Sequence, residues 1–302
     1  MHHQFNNFSA ILNRMGVNEE NGGRMTMRLG DSRLELELDL DSALDIGAAR
    51  VNGVDVSPGE AVPDDGDARI LHAVQGFMFT CGPDHIRHPE PIGDDAARRY
   101  PLHGSMAGHK AEIISETRDD DGQSIEARIR VALADGGKAE ILRLWRFDAT
   151  DCSFRLEDRL INAGGRPFAP MMMYHMNVGA RLFDDRAGFE SASFEGGRMG
   201  WRFGPGEGHV LCTPAVAEDD EKARIALGPI AGANDARLHV WFDADAIPHL
   251  QMWRNEAGHC NVIGIEPATH PLMKRTALAE AGLMSLLNPG DEKVYRLGFR
   301  FA

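Results

Sequence analysis

Ser124-Ile125-Glu126-Ala127-Arg128-Ile129-Arg130-Val131 alternates apolar and polar side chains without a break. A period of two marks a strand with one buried and one wetted face. The same rhythm returns in Leu34, Leu36, Leu38 and Leu40 against Glu35, Glu37 and Asp39. It returns again in Tyr295, Leu297, Phe299 and Phe301 against Arg296, Gly298 and Arg300, and more weakly in residues 153–161 and Leu238-His239-Val240-Trp241-Phe242. Turn formers separate these stretches: Asp64-Asp65-Gly66, Asp120-Asp121-Gly122, Asp135-Gly136-Gly137, Ala163-Gly164-Gly165 and Asn288-Pro289-Gly290. A content of 33 glycines and 15 prolines suits a chain that reverses often. Helical signals are short: Ser9–Met15 closed by Gly16, and Leu272–Ala281 closed by Gly282. Segments 58–69 and 89–99, rich in Pro, Asp and Gly, read as surface loops. The expected fold is all-β, one large antiparallel β-sandwich domain over residues 1–302 with a few short helices. A two-domain β protein divided near residue 165 is the alternative.

The bulk numbers narrow the partners. With 46 acidic against 32 basic residues the formal charge is −14, which disfavours nucleic acid and anionic membranes. A content of 43% hydrophobic residues allows a substantial core. Cys81, Cys152, Cys212 and Cys260 are scattered, with neither a disulfide framework nor zinc-ribbon spacing, so reduced thiols are expected. The start, Met1-His2-His3-Gln4-Phe5, lacks the basic and apolar runs of a signal peptide, and no stretch reaches membrane-span length. A soluble cytoplasmic protein is the expectation; the assembly is left open, a homodimer included.

Chemistry concentrates in a few segments. In Gly264-Ile265-Glu266-Pro267-Ala268-Thr269-His270-Pro271 a carboxylate follows the apolar pair Val262-Ile263, and the next residue, a proline, holds Glu266 extended. Glu266 is expected at a strand end as a rigid, partly desolvated general base; the blander reading is a turn cap or a pair with Arg275. His103 stands before Gly104 in Pro101-Leu102-His103-Gly104, where glycines at 104 and 108 permit close approach to a ligand; the alternative is a surface histidine. His175 follows the apolar run Met171–Tyr174, and Asn177 shares its face in a strand; a core histidine bonded to backbone is the ordinary alternative. In Thr80-Cys81-Gly82-Pro83-Asp84-His85-Ile86-Arg87-His88, the side chains of Asp84, His85 and Arg87 could meet hydroxyls or form a charged turn. His85 and His88 could also begin a metal site, although no H-x-H with a spaced Glu follows. Gln251, Trp253 and Arg254 in Pro248–Arg254 offer an aromatic face beside polar groups, the arrangement that stacks a sugar ring. No P-loop, dinucleotide-binding fingerprint or nucleophile elbow is present.

In their order along one chain, Thr80–His85, Leu102-His103-Gly104, Tyr174–Gly179, Pro248–Arg254 and Gly264–Pro267 resemble the aldose 1-epimerase (galactose mutarotase-like) superfamily, and within it the DUF4432 branch. The resemblance runs from Leu44-Asp45-Ile46-Gly47 to Leu287-Asn288-Pro289-Gly290. It implies a β-supersandwich with an open sugar-binding cleft. It also implies that Glu266 takes the proton of the anomeric hydroxyl, His175 protonates the ring oxygen, and His103 binds and polarises the sugar. The chain departs from the pattern where mutarotases carry an Asn-Arg pair, having Asp84-His85-Ile86-Arg87, and in the short spacing His175-Met176-Asn177. The expected activity is anomer interconversion of a small-molecule sugar without a cofactor or metal. His85, Arg87, Asn177, Gln251, Trp253 and Arg254 would position the substrate. Two alternatives are a non-catalytic carbohydrate-binding protein and a metal-dependent sugar isomerase using His85, His88, His103 or His109.

Overall fold

The computed structural model describes residues 17–19, 24–59, 66–93, 95–204, 208–257 and 261–302. The expected helix at Ser9–Met15, Cys260 and most of the turn at Asp64-Asp65-Gly66 lie outside these residues. Among the described residues two large antiparallel sheets carry the fold. The first runs in the order β1 (Val17–Glu19), β2 (Met25–Gly30), β3 (Leu34–Asp39), β4 (Asp45–Val51), β6 (Met78–Cys81), β13 (Met173–Gly179), β20 (Val262–Ala268), β19 (His249–Asn255) and β16 (His209–Pro214), with β5 (Val54–Asp55) beside β4. The second runs β15 (Arg198–Gly200), β14 (Gly188–Glu190), β17 (Lys222–Ile230), β18 (Ala236–Asp243), β21 (Glu292–Phe301), β12 (Ser153–Asn162), β11 (Lys138–Asp148), β10 (Gly122–Ala132) and β9 (Ala111–Arg118). A hairpin of β7 (Glu90–Ile92) and β8 (Asp95–Tyr100) stands apart. No helix among the described residues is long and apolar enough to cross a membrane.

Alternation does what its period requires. Ile125, Ala127, Ile129 and Val131 of β10 are buried, and Tyr295, Leu297 and Phe299 of β21 likewise. The inner faces of both sheets share one apolar core that draws on residues from Met27 to Phe299, on both sides of residue 165. Within it Phe299 packs on Phe77 and Phe154 at ring-centroid distances of 5.3 and 5.6 Å.

One charged residue breaks the apolar row of β11. Arg143 lies between Ile141 and Trp145 on the inner face, wholly buried. Its Nη1 donates to Asp45 Oδ1 at 2.7 Å and to the Ala43 carbonyl at 2.8 Å. Its Nε and Nη2 donate to the two oxygens of Asp158 at 2.8 and 2.7 Å, and Nη2 also to Thr80 Oγ1 at 2.7 Å. Tyr174 Oη donates to Asp158 at 2.9 Å, and Thr80 Oγ1 to Asp45 at 2.8 Å. The network ties β4, β6 and β13 of one sheet to β11 and β12 of the other.

Four expectations are corrected. Residues 58–69 were expected as a loop, but Ala68–Gln75 forms a helix, α1. Asp67 caps it by accepting from Arg69 N at 3.0 Å, and Ile70, Ala73 and Val74 make its buried stripe. The second helix, α2, covers only Arg275–Glu280; Pro271 and the Met273 N to Pro271 O bond at 2.7 Å keep Leu272–Lys274 out of it. It ends as expected at Gly282, whose φ is +70°. The segment 89–99 holds the solvated hairpin β7–β8, its pattern hidden by Pro91 and its charges. Finally, Glu37 and Asp39 were expected on a wetted face and are buried. Arg50 lies 3.3 Å from Glu37, and Arg24 and His72 lie 2.8 and 2.7 Å from Asp39, which offsets that burial.

Candidate functional site

The outer face of the first sheet carries a second, smaller apolar cluster. Phe79, Cys81, Met173, Val262 and Ala268 supply its floor, and Ile70 and Val74 of α1, Ile86, Leu102 and Leu278 of α2 cover it. At its edge opens a cavity of about 350 Å³. Three adjacent strands place the polar groups there. Phe79 of β6 pairs with His175 of β13, and Glu266 of β20 pairs with Gln251 of β19. Between β13 and β20 the ladder is interrupted from Met173↔Ala268 to Met176↔Ile265. Pro267, which has no N–H to give, sits in that gap, and His175 and Glu266 face each other across it. Glu266 is therefore inside a central strand and not at a strand end. Its expected alternative partner, Arg275, donates instead to the Asp84 carbonyl and to Met171 Sδ.

His175 Nε2 lies 3.2 Å from Glu266 Oε1. Both side chains are almost wholly buried, yet Glu266 Oε1 and His175 Nδ1 make no hydrogen bond. Burial pushes Glu266 up to about 8. Burial, and then the nearby His103, push His175 well below its ordinary value, against a favourable contribution from Asn177. Desolvation thus acts against both charges, and the pair is a neutral acid beside a neutral imidazole, not an ion pair. Gly264 makes room for it: a Cβ there would stand 2.7 Å from Glu266 Oε1 and 3.3 Å from His175 Cε1.

Aromatic rings fix the imidazole. Phe79 stacks on His175 at 4.7 Å, while Trp253 and His103 meet it edge-on at 5.5 and 5.7 Å. His103 adopts φ +55° and Gly104 φ +83°, two consecutive left-handed residues of which only glycine adopts the conformation freely. A Cβ on Gly104 would stand 2.1 Å from the His85 carbonyl. The loop is pinned by His103 N to Arg87 O at 2.8 Å and Gly82 N to His103 O at 2.9 Å. Burial, chiefly, holds His103 at about 4, so it is neutral, with Nδ1 buried and unbonded.

Of the nine expected site residues, Glu266, His175, His103, Arg87, Gln251 and Trp253 line the cavity. Three do not. His85 lies behind it, stacked on Tyr100 at 5.4 Å with Nε2 2.7 Å from the His88 carbonyl. Asn177 lies beneath α1, donating to the carbonyls of Val74 and Gly76 at 3.4 and 3.3 Å. Arg254 follows Leu250 and Met252 onto the opposite face, 3.8 Å from Glu256. Asp84 is structural: it accepts from Ser105 N, Ser105 Oγ and Ala134 N at 3.0, 2.7 and 2.8 Å. Among the described residues no three His, Cys, Asp or Glu side chains converge as metal donors. Sequence reasoning missed the wall formed by Ile70 and Val74, and Asn255 and Leu272 at the rim. The i, i+3, i+4 spacing of Ile70, Ala73 and Val74 after Asp67 was the available signal for the wall.

The family described as Domain of unknown function (DUF4432) matches residues 20–196 and 206–301. No curated protein matches the sequence. Solved structures share the fold at low identity. A candidate aldose 1-epimerase from Klebsiella pneumoniae superposes with a TM-score of 0.77 at 18% identity, over 94% of this chain and 82% of that one. A galactose mutarotase-like protein from Clostridium acetobutylicum gives 0.67 at 11%, over 95% and 98%. A galactose mutarotase related enzyme from Lactobacillus acidophilus gives 0.66 at 11%, over 92% and 97%.

Proposed function

The chain belongs to the DUF4432 family, and we propose that it interconverts the anomers of an aldose by general acid–base ring opening. The observation that carries this reading is the buried pair His175–Glu266, 3.2 Å apart and lacking hydrogen-bond partners at the facing oxygen. Anomer exchange needs two coordinated proton transfers. A base takes the proton of the O1 hydroxyl, an acid gives one to the ring oxygen O5, and the C1–O5 bond breaks to leave an aldehyde and an O5 hydroxyl. Rotation about C1–C2 and reclosure return both protons. The catalyst needs one basic and one acidic site, which is one proton shared between two groups.

That inventory fits the directions of the two shifts. With Glu266 raised to about 8 and His175 depressed, the proton near neutrality rests on Glu266 and the imidazole is the free base. Glu266 then protonates O5 while His175 receives the O1 proton. A proton held on His175 instead of Glu266 gives the reverse roles, those the family resemblance implies, with the same total. His103 and Gln251 supply hydrogen bonds to sugar hydroxyls, and Trp253 an apolar face for the ring. The neighbours' names as aldose epimerases and mutarotase-like proteins accord with an aldose; their likeness to this chain shows the fold alone.

Anomer-exchange NMR over a sugar panel tests the reading. Wild type is expected to accelerate exchange, and Glu266→Gln to lose about 10²- to 10⁴-fold. Binding without acceleration in the wild type would assign the site to carbohydrate binding.

A further inference from the structure

We propose that the sugar taken by this site carries an oxyanion, with the guanidinium of Arg87 as its counter-ion. The inference rests on the sugar-isomerising reading above and narrows it. Arg87 stands between β6 and β7, after the fully covered Ile86, and its carbonyl accepts from His103 N at 2.8 Å. Its backbone is thus tied to that of a cavity histidine. The side chain lines the cavity, where Nη1 is buried and makes no hydrogen bond.

Neighbouring arginines are each supplied with acceptors. Arg69 has Asp67 at 2.7 Å and the Ala107 carbonyl at 3.1 Å, and Arg275 has the Asp84 carbonyl. Glu90, whose charge favours the Arg87 cation, already accepts from Arg275 N at 2.9 Å. Burial weakens the Arg87 charge, Glu90 offsets that only in part, and Nη1 has no acceptor among the described residues. A half-buried guanidinium with one buried N–H group left without an acceptor is costly, and an incoming anion lowers that cost. The planar fork of a guanidinium suits carboxylate, sulfonate and phosphate ester alike.

The surroundings permit an anion. The chain's −14 charge opposes one at long range, so a local cation is required. Glu266 is the one acidic side chain among the described residues that line the cavity, and burial keeps it protonated near neutrality. A cavity of about 350 Å³ lies at the small end for ligand sites, which suits a monosaccharide with one substituent.

Calorimetric titration with glucose, glucuronate, glucose 6-phosphate and 6-deoxy-6-sulfoglucose, and with the galacto forms, tests the assignment. At least one acidic sugar is expected to bind wild type about 10- to 100-fold more tightly than its neutral parent. The acidic sugar that leads identifies the oxyanion. Arg87→Gln is expected to collapse that ratio towards one, and Arg87→Lys to restore part of it. An acidic preference that survives Arg87→Gln, equal binding of acidic and neutral sugars, or no binding of any acidic sugar overturns the proposal. Anomer exchange on the same panel separates the two readings. Arg87-dependent binding without acceleration keeps the anion site and removes mutarotation, while acceleration without acidic preference does the reverse.

Discussion

Tyr174 and His175 are neighbours in one strand, and they belong to two buried polar clusters on opposite faces of one sheet. On the inner face Tyr174 joins Arg143, Asp45, Asp158 and Thr80, where every donor of the guanidinium is matched to an oxygen. On the outer face His175 joins Glu266 and His103, and buried atoms of all three go without a hydrogen bond. His175 and Glu266 are nearly as buried as the inner cluster and His103 is half-buried; what differs most is satisfaction. Completed buried networks specify a fold, whereas buried polar atoms left without partners are the exception that calls for a functional cause. The contrast marks the inner cluster as structural and the outer one as the candidate for chemistry, without reference to any relative.

The comparison can be broken by three substitutions. Arg143→Ala leaves Asp45 and Asp158 buried without their cation, and should cost about 3–5 kcal/mol in denaturant unfolding. Turnover per folded molecule should be nearly unchanged. A loss under about 1 kcal/mol would end the claim that the inner cluster is structural.

Glu266→Gln should act with the opposite sign. Glu266 is raised from 4.5 to about 8 in the folded chain, so the folded state keeps a proton that the unfolded chain releases between those values. The stability this contributes is full below pH 4.5 and lost as pH rises through 8. Glutamine has no such dependence. The variant should therefore gain on the wild type as pH rises, by roughly 2–4 kcal/mol at pH 8. Parallel stability curves would show that Glu266 is not desolvated. His175 and His103 act on the acid side. Their folded values lie below 6.5, so protonation of the unfolded chain lowers stability as pH falls below 6.5.

Gly264→Ala is the smallest change. Its methyl group would press on Glu266 and His175 from the floor. A stability loss of about 1–2 kcal/mol is expected, with a fall in turnover of roughly 10-fold from misplacement of the pair. Unchanged turnover would mean that the close approach of the two groups is not what the reaction uses.

Much of the fold was legible because period two is a local property, visible in Ile125–Val131 without knowing what β10 packs against. The central pair was legible for related reasons: Pro267 restricts Glu266, and the polar His175 interrupts an apolar run. Arg254 could have been placed correctly by the same alternation, since Gln251 and Trp253 share one face and Arg254 takes the other. Three features needed the tertiary structure. Arg143, Asp45 and Asp158 meet only when the sheets pack. Helix α1 follows a Pro- and Asp-rich lead that masks its cap, and without it Asn177 looks like a cavity residue. His85 is drawn away from the site by stacking on Tyr100.

The pH dependence of anomer exchange decides whether Glu266 and His175 work with one proton between them. A pair sharing one proton, with Glu266 raised to about 8 and His175 depressed, predicts a profile that is flat through neutrality. It should fall on the alkaline side near 8 and on the acid side well below 6.5. A narrow bell confined between the ordinary values of 4.5 and 6.5, or no acceleration at any pH, would contradict it.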